Sequence, residues 1–201
     1  MQSVERVLRS PEMRRGNGPD RGIVSDYRLN DIARWKRIRQ WSRLDDPKAV
    51  LVPWVSLNPA GNTISHQLQP FKKRGVGWNM ISLSWRWGFD GCIAYNVFPI
   101  ENGNPKILED WVSSASQDLI LESYAKIAAD ISRFDAAITS WGRNRHARRF
   151  AQILLECIRI ARSESSSSLG LWRIGVNADG SPRHPGQGTR HDWLPERYDT
   201  I

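Results

Sequence analysis

The sequence is poor in sulfur and has no long apolar run. Only two cysteines, Cys92 and Cys157, stand among 201 residues. Each lies inside an apolar stretch ("FDGCIAYNVF" and "AQILLECIRI"), with no metal-type or iron–sulfur spacing around it. A disulfide-built scaffold and a metal centre are therefore not expected; two free thiols in a reducing, cytoplasmic setting are. No apolar run approaches the length that crosses a bilayer, and the N-terminus is polar and charged without a secretory pattern, so no membrane partner is expected. Acidic residues are also scarce, 21 against 29 lysines and arginines, for a formal charge of +8 and a pI near 10.0. That balance points to a polyanionic partner, most simply nucleic acid, although a basic protein with no such partner has the same composition.

What is present is globular: 40% hydrophobic and 25% charged residues, enough for one sizeable α/β domain. Residues 1–25 are polar with a "RRGNGPDRG" breaker cluster and read as a flexible basic arm carrying one short helix at Val4–Leu8. Residues 26–201 read as a single domain. In "NDIARWKRIRQWSRL" (30–44), Ile32, Trp35, Ile38 and Trp41 fall at helical spacing opposite a basic face, which predicts a helix with its tryptophan stripe inward. Short apolar runs closed by turn residues predict buried strands at 49–57, 91–98, 136–142 and 169–176. Helical patterns fill 76–87, 106–133 (one or two helices) and 143–162, and "SESSSS" (163–168) reads as a hinge. The alternation predicts a three-layer α/β/α sandwich around a short, mostly parallel sheet.

Ligands of such sheets bind in the crevice outside the carboxyl ends of the strands. Asn58 in "VSLNPAGNTI", Asn96, Trp141-Gly142 and the segment "NADGSPRHPGQGTRHDW" all fall there. His184 is fixed on a rigid "RHPG" loop, and a structural histidine capping that turn is the plainer alternative. Arg143, Arg145, Arg148 and Arg149 surround a helix N-terminus, which attracts phosphate; Lys72, Lys73 and Arg74 make a second basic spot. Either run is also what a solvated surface looks like. Of the tryptophans, Trp35, Trp41, Trp54 and Trp111 read as core. Phe71, Trp78 and Trp85 lie near the first motif, where an aromatic can stack on a base, with core packing the better reading for Trp85. Gln67, Gln69 and His66 add polar lining for a roomy pocket. His146 reads as exposed, and His191 beside Asp192 as a surface pair.

The series "LNPAG", "RWGFDGCIAYNVFP", "SWGRNRHARRFAQIL" and "GVNADGSPRHPGQG" resembles an uncharacterised family of small bacterial and phage proteins with the pattern LNPS, RWG, NLF, WG and KDG-x-PRHPL. The likeness covers residues 27–194. That pattern is in turn similar to the uracil-DNA glycosylase superfamily, especially its mismatch-specific branch. The resemblance implies a uracil-DNA glycosylase-like fold in which Asn58 orients the attacking water and Pro59, Ala60 and Gly61 form the loop around it. It makes Asn96 the reader of the base edge and His184 the group that stabilises the departing base. Arg190 falls where that branch inserts a basic residue into DNA, and Gln187 stands where a bulky leucine is common. No aspartate occupies the first motif, which argues against a uracil-dedicated site, and "HQLQPF" replaces the acidic DPT stretch.

What the resemblance implies is a monofunctional DNA glycosylase, monomeric and without cofactor or metal, acting on a flipped modified pyrimidine. Uracil and a hypermodified phage base such as glucosylated hydroxymethylcytosine are the candidates, in base excision or anti-phage defence. The chemistry suits the residue types. Breaking an N-glycosidic bond needs a positioned water and a donor aimed at the departing anionic base, not a covalent nucleophile. No lysine stands at a motif position, so no Schiff-base step is expected. The alternatives are a non-catalytic nucleic-acid-binding module on the same fold, and a nucleotide- or nucleoside-processing hydrolase.

Overall fold

The computed structural model describes residues 3–31, 33–42, 48–59, 67–102, 104–114, 117–163, 168–186 and 193–200. The strands are β1 (Arg21–Arg28), β2 (Arg34–Gln40), β3 (Leu51–Ser56), β4 (Gln67–Pro70), β5 (Gly91–Asn96), β6 (Ala136–Ser140), β7 (Gly170–Arg173) and β8 (Glu196–Thr200). The helices are α1 (Val4–Arg9), α2 (Gly75–Arg86), α3 (Pro105–Ser114), α4 (Gln117–Ile131) and α5 (Ala147–Arg162). All eight strands form one sheet in the order β4-β1-β2-β5-β3-β6-β7-β8. Its centre, β5-β3-β6-β7, is parallel, while β1, β2, β4 and β8 join antiparallel.

The expected short, mostly parallel sheet is therefore corrected to a long mixed sheet in which antiparallel pairings predominate. The four strands predicted from apolar runs are the four parallel ones. They are buried on both faces, which is why their sequences read as continuous hydrophobic runs. The flanking strands carry polar residues and give no such signal.

Period-two alternation divides the core between the faces. Val52 and Trp54 of β3, Cys92 and Ala94 of β5 and Ile138 of β6 join a cluster with Val4 and Leu8 of α1 and with Trp78, Ile81 and Leu83 of α2. Val55, Ile93, Tyr95 and Ala137 join a second cluster with Tyr124 and Ile127 of α4 and Leu154 and Ile158 of α5. Helices thus cover both faces of the sheet. Trp54 is fully buried, stacks on Trp87 at 5.7 Å and donates its indole N–H to Ser84 Oγ at 3.0 Å. No described helix is long and apolar enough to cross a membrane.

The expected helix over 30–44 is strand β2. Trp35 and Ile38 do pack inward, but the strand buries the arginines and lysine that were assigned to an exposed face. Arg37 sits in register with Asp26 of β1 and pairs with it, and Arg34 reaches Asp26 at 3.0 Å and Glu101 at 2.8 Å. Lys36 reaches Asp130 at 2.6 Å and lies over the Tyr27 ring. Partners distant in sequence neutralise the charges, so a basic strand can lie indoors.

The N-terminal segment is built into the domain over its described residues. Val4 and Leu8 are buried, β1 starts at Arg21, and Ser3 Oγ accepts the Arg6 N–H at 3.1 Å as the N-cap of α1 while donating to Asp135. Ser3→Ala is expected to lower stability by about 1 kcal/mol, read from urea unfolding. No change would mean that α1 is not docked.

Candidate functional site

The parallel strands end on one side of the sheet, and the order of connections reverses there: β3 leads through β4 and α2 to β5 on one side, and β5 leads through α3 and α4 to β6 on the other. A cavity of about 460 Å³ opens at this reversal, where doubly wound sheets place their ligands. Asn58 comes from the turn after β3, Asn96 from the last position of β5, and His184 from the loop after β7; all three line it. Met80, Val76 and Gly77 of α2 form one wall, and Asn102, Asn104 and Asn144 contribute further carboxamides.

Each of the three candidate groups is oriented by a neighbour. The Asn58 amide nitrogen donates to the Asn102 carbonyl, which leaves Oδ1 as the acceptor a water can use. Asn96, buried, gives one amide proton to the Arg34 carbonyl at 3.2 Å, and keeps its oxygen and second proton for a ligand edge. His184 Nδ1 accepts the Gly186 N–H at 3.2 Å, so in the neutral ring Nε2 carries the proton. The loop that holds it is tied at several points. Asn79 of α2 donates to the Pro185 carbonyl at 2.7 Å, Gly142 N–H to Pro182 at 3.1 Å, and Arg183 N–H to Gly175 at 2.9 Å. A Cβ at Gly186 would meet Val76 and the imidazole at 3.1 Å, so any larger residue there would press on the ring.

Burial holds the His184 imidazole below its ordinary value. The neutral form therefore prevails at pH 7, and its contribution to stability is complete above the unfolded value near 6.5 and is lost as pH falls through the lower, folded one. Protonation turns Nδ1 into a donor facing the Gly186 N–H. A proton NMR titration is expected to show His184 titrating below 6.5, with the Gly186 amide shifting at the same inflection. Titration above 6.5 would contradict this.

Three arginines of β2, Arg34, Arg37 and Arg39, make the remaining wall. The first two are ion-paired as described above. The cavity wall is thus basic, with part of its charge already compensated.

A model of a protein family of unknown function, DUF1643, matches residues 34–186. The chain belongs to the DUF1643 family. The matched stretch starts at Arg34 and runs past His184, so every residue lining the cavity falls within it. No curated protein and no solved structure matches the chain.

Within this DUF1643 domain, other expected site residues lie elsewhere. Phe71 and Trp78 belong to the apolar cluster beneath α2, and neither lines the cavity; as base-stacking candidates both are corrected to core residues. Gln69 is on β4 at the sheet edge, on the strand order's far side from β3, and does not reach the cavity. Gln67 heads the same strand. His66, Gln187, Arg190, His191 and Asp192, like Ala60 and Gly61, lie outside the described residues.

Arg143, Arg145, Arg148 and Arg149 are exposed around the start of α5, and Arg145 lies 3.4 Å from Glu109. Asn144 accepts the N–H groups of His146 and Ala147, at 3.0 and 3.2 Å, while lining the cavity, which places this basic helix start at the rim. Lys72 and Lys73 are exposed just before α2, whose first turn forms a cavity wall, and Lys73 pairs with Asp20 at 2.5 Å. What sequence reasoning missed is the arginine wall, hidden by the helix expectation for 30–44. It also missed the asparagines of "IENGNPK", whose position after a predicted strand was a usable signal.

Proposed function

We propose that this protein is a monofunctional DNA glycosylase with a uracil-DNA glycosylase-like fold, hydrolysing the N-glycosidic bond of a modified pyrimidine flipped out of DNA. The observation that carries the proposal is the convergence of Asn58, Asn96 and His184 on one cavity at the strand ends. The cavity volume lies in the range of small-molecule sites, about 300–1,000 Å³, and leaves room for a base with a bulky substituent such as a glucosylated hydroxymethyl group.

In this reading the Asn58 oxygen holds a water for attack on the sugar carbon. A carboxamide is too weak a base to deprotonate it in advance, so the water bonds to the sugar carbon as the C–N bond breaks and oxocarbenium character develops, and its proton ends on the departing anionic base. The His184 Nε2–H donates to the base oxygen on which charge develops. Asn96 fixes the base edge with one donor and one acceptor. The basic residues at the starts of α2 and α5 hold the phosphates on either side, and a flipping cost of a few kcal/mol is met by those contacts.

Duplexes containing uracil, a thymine mismatch, hydroxymethylcytosine or its glucosylated form, assayed for alkali-labile abasic product, test the proposal. Product from at least one, abolished in Asn58→Ala and His184→Ala, supports it. Salt-sensitive binding with no product on any substrate would replace it with a non-catalytic DNA-binding module. Base release from free nucleosides alone would replace it with a nucleoside hydrolase.

A further inference from the structure

Arg39 differs from its two neighbours in the cavity wall. Arg34 and Arg37 bond to Asp26 and Glu101. Among the described residues, no carboxylate pairs with Arg39, and its Nη1 is shut away from solvent with no hydrogen-bond partner. The thiol of Cys92, opposite it on β5, hydrogen-bonds the guanidinium, and burial pushes that thiol up to about 11, so it is neutral. Burial lowers Arg39 itself only to about 10, which leaves it charged at neutral pH.

The guanidinium lies against the first turn of α2. A Cβ on Gly77 would sit 3.1 Å from Arg39 Nη2 and crowd the guanidinium. That turn has no side-chain cap and no acidic residue, and its N–H groups and dipole also favour an anion.

We infer that Arg39 and the first turn of α2 form a phosphate subsite inside the cavity, occupied by the backbone phosphodiester next to the nucleotide held by Asn58, Asn96 and His184. The identity of that phosphate rests on the glycosylase reading; the subsite does not. An unpaired cation withdrawn from water is costly until an anion joins it. A tetrahedral oxyanion can take the guanidinium fork and the helix N–H groups from different directions.

Calorimetric titration of the full chain with inorganic phosphate tests the subsite without reference to catalysis. Phosphate is expected to bind, and Arg39→Gln to weaken it about ten- to hundredfold, the range for charge-assisted hydrogen bonds. Gly77→Ala, which crowds Nη2 while leaving the charge in place, is expected to weaken it less. Without phosphate, Arg39→Gln should melt at the same or a higher temperature, because it removes a cation that no carboxylate among the described residues pairs with.

Absence of phosphate binding, equal binding by Arg39→Gln, or a lower melting temperature for that variant would overturn the subsite. Duplex carrying a tetrahydrofuran abasic analogue is expected to show the same dependence on Arg39. If only a nucleoside 5′-monophosphate shows it, the diester assignment is overturned and the subsite stands. Arg39-dependent phosphate binding with no abasic product on any duplex would sink the glycosylase reading alone.

Discussion

His184→Ala is expected to lower the single-turnover rate of base release by about a hundred- to a thousandfold, the usual effect of removing one donor from a developing anion. The substitution takes away Nε2–H and also the Nδ1 acceptor for the Gly186 N–H. A structural and a chemical role are separated by measuring affinity for the abasic-analogue duplex. That affinity should change little, because the lost hydrogen bond to the base oxygen strengthens only as charge develops. His184→Gln, which keeps an N–H donor, should recover part of the rate. A loss seen in binding and melting temperature alike, with no separate effect on rate, would make His184 a turn-holding residue. Asn58→Ala should act on the same step, and the double variant should fall short of the product of the two single effects, since both groups serve one transition state.

The sequence was informative wherever the physical cause was local. Apolar runs ending in turn residues marked the strands later named β3, β5, β6 and β7, since burial on both faces leaves no alternation to misread. Asn58, Asn96 and His184 were legible as strand-end groups for a related reason: an amide at a strand end and an imidazole next to a proline in a tight turn are short-range signals, and parallel strands bring their ends together. Strand β2 was illegible. Its tryptophan and isoleucine spacing imitates a helix, and its basic residues imitate a wet face. What makes them a buried strand is carboxylate from β1, from Glu101 and from α4, none of which a local window contains. Phe71 and Trp78 failed for the converse reason. Proximity in sequence to the first motif placed them at the site, while packing beneath α2 placed them in the core.

Those same carboxylates give the second large effect. Asp26→Ala is expected to destabilise the protein by about 3–5 kcal/mol, the range for breaking a buried ion pair, out of a total of about 5–15 kcal/mol for a typical domain. The Asp26 side chain is 2% exposed and bonds both Arg34 and Arg37, which are themselves enclosed at 2% and 6%. Arg34 keeps Glu101 when Asp26 is lost, which itself also holds Arg28 at 2.7 Å. Arg37 is left facing the cavity without its carboxylate. Burial already holds Arg34 below the ordinary guanidinium value, with repulsion from Arg37 adding to it against the pull of Asp26 and Glu101. Removing a carboxylate therefore leaves two like charges to repel each other in a poorly solvated wall. Adding Arg37→Met to Asp26→Ala should restore most of the lost stability, because the cost lies in the stranded cation and not in the lost pair. Urea unfolding of the two single variants and the double variant measures the coupling. If the double variant is as unstable as the sum of the singles, the wall is held by packing and the charges do not interact. Recovery would show that the Asp26 pairing is what compensates Arg37 in the cavity wall.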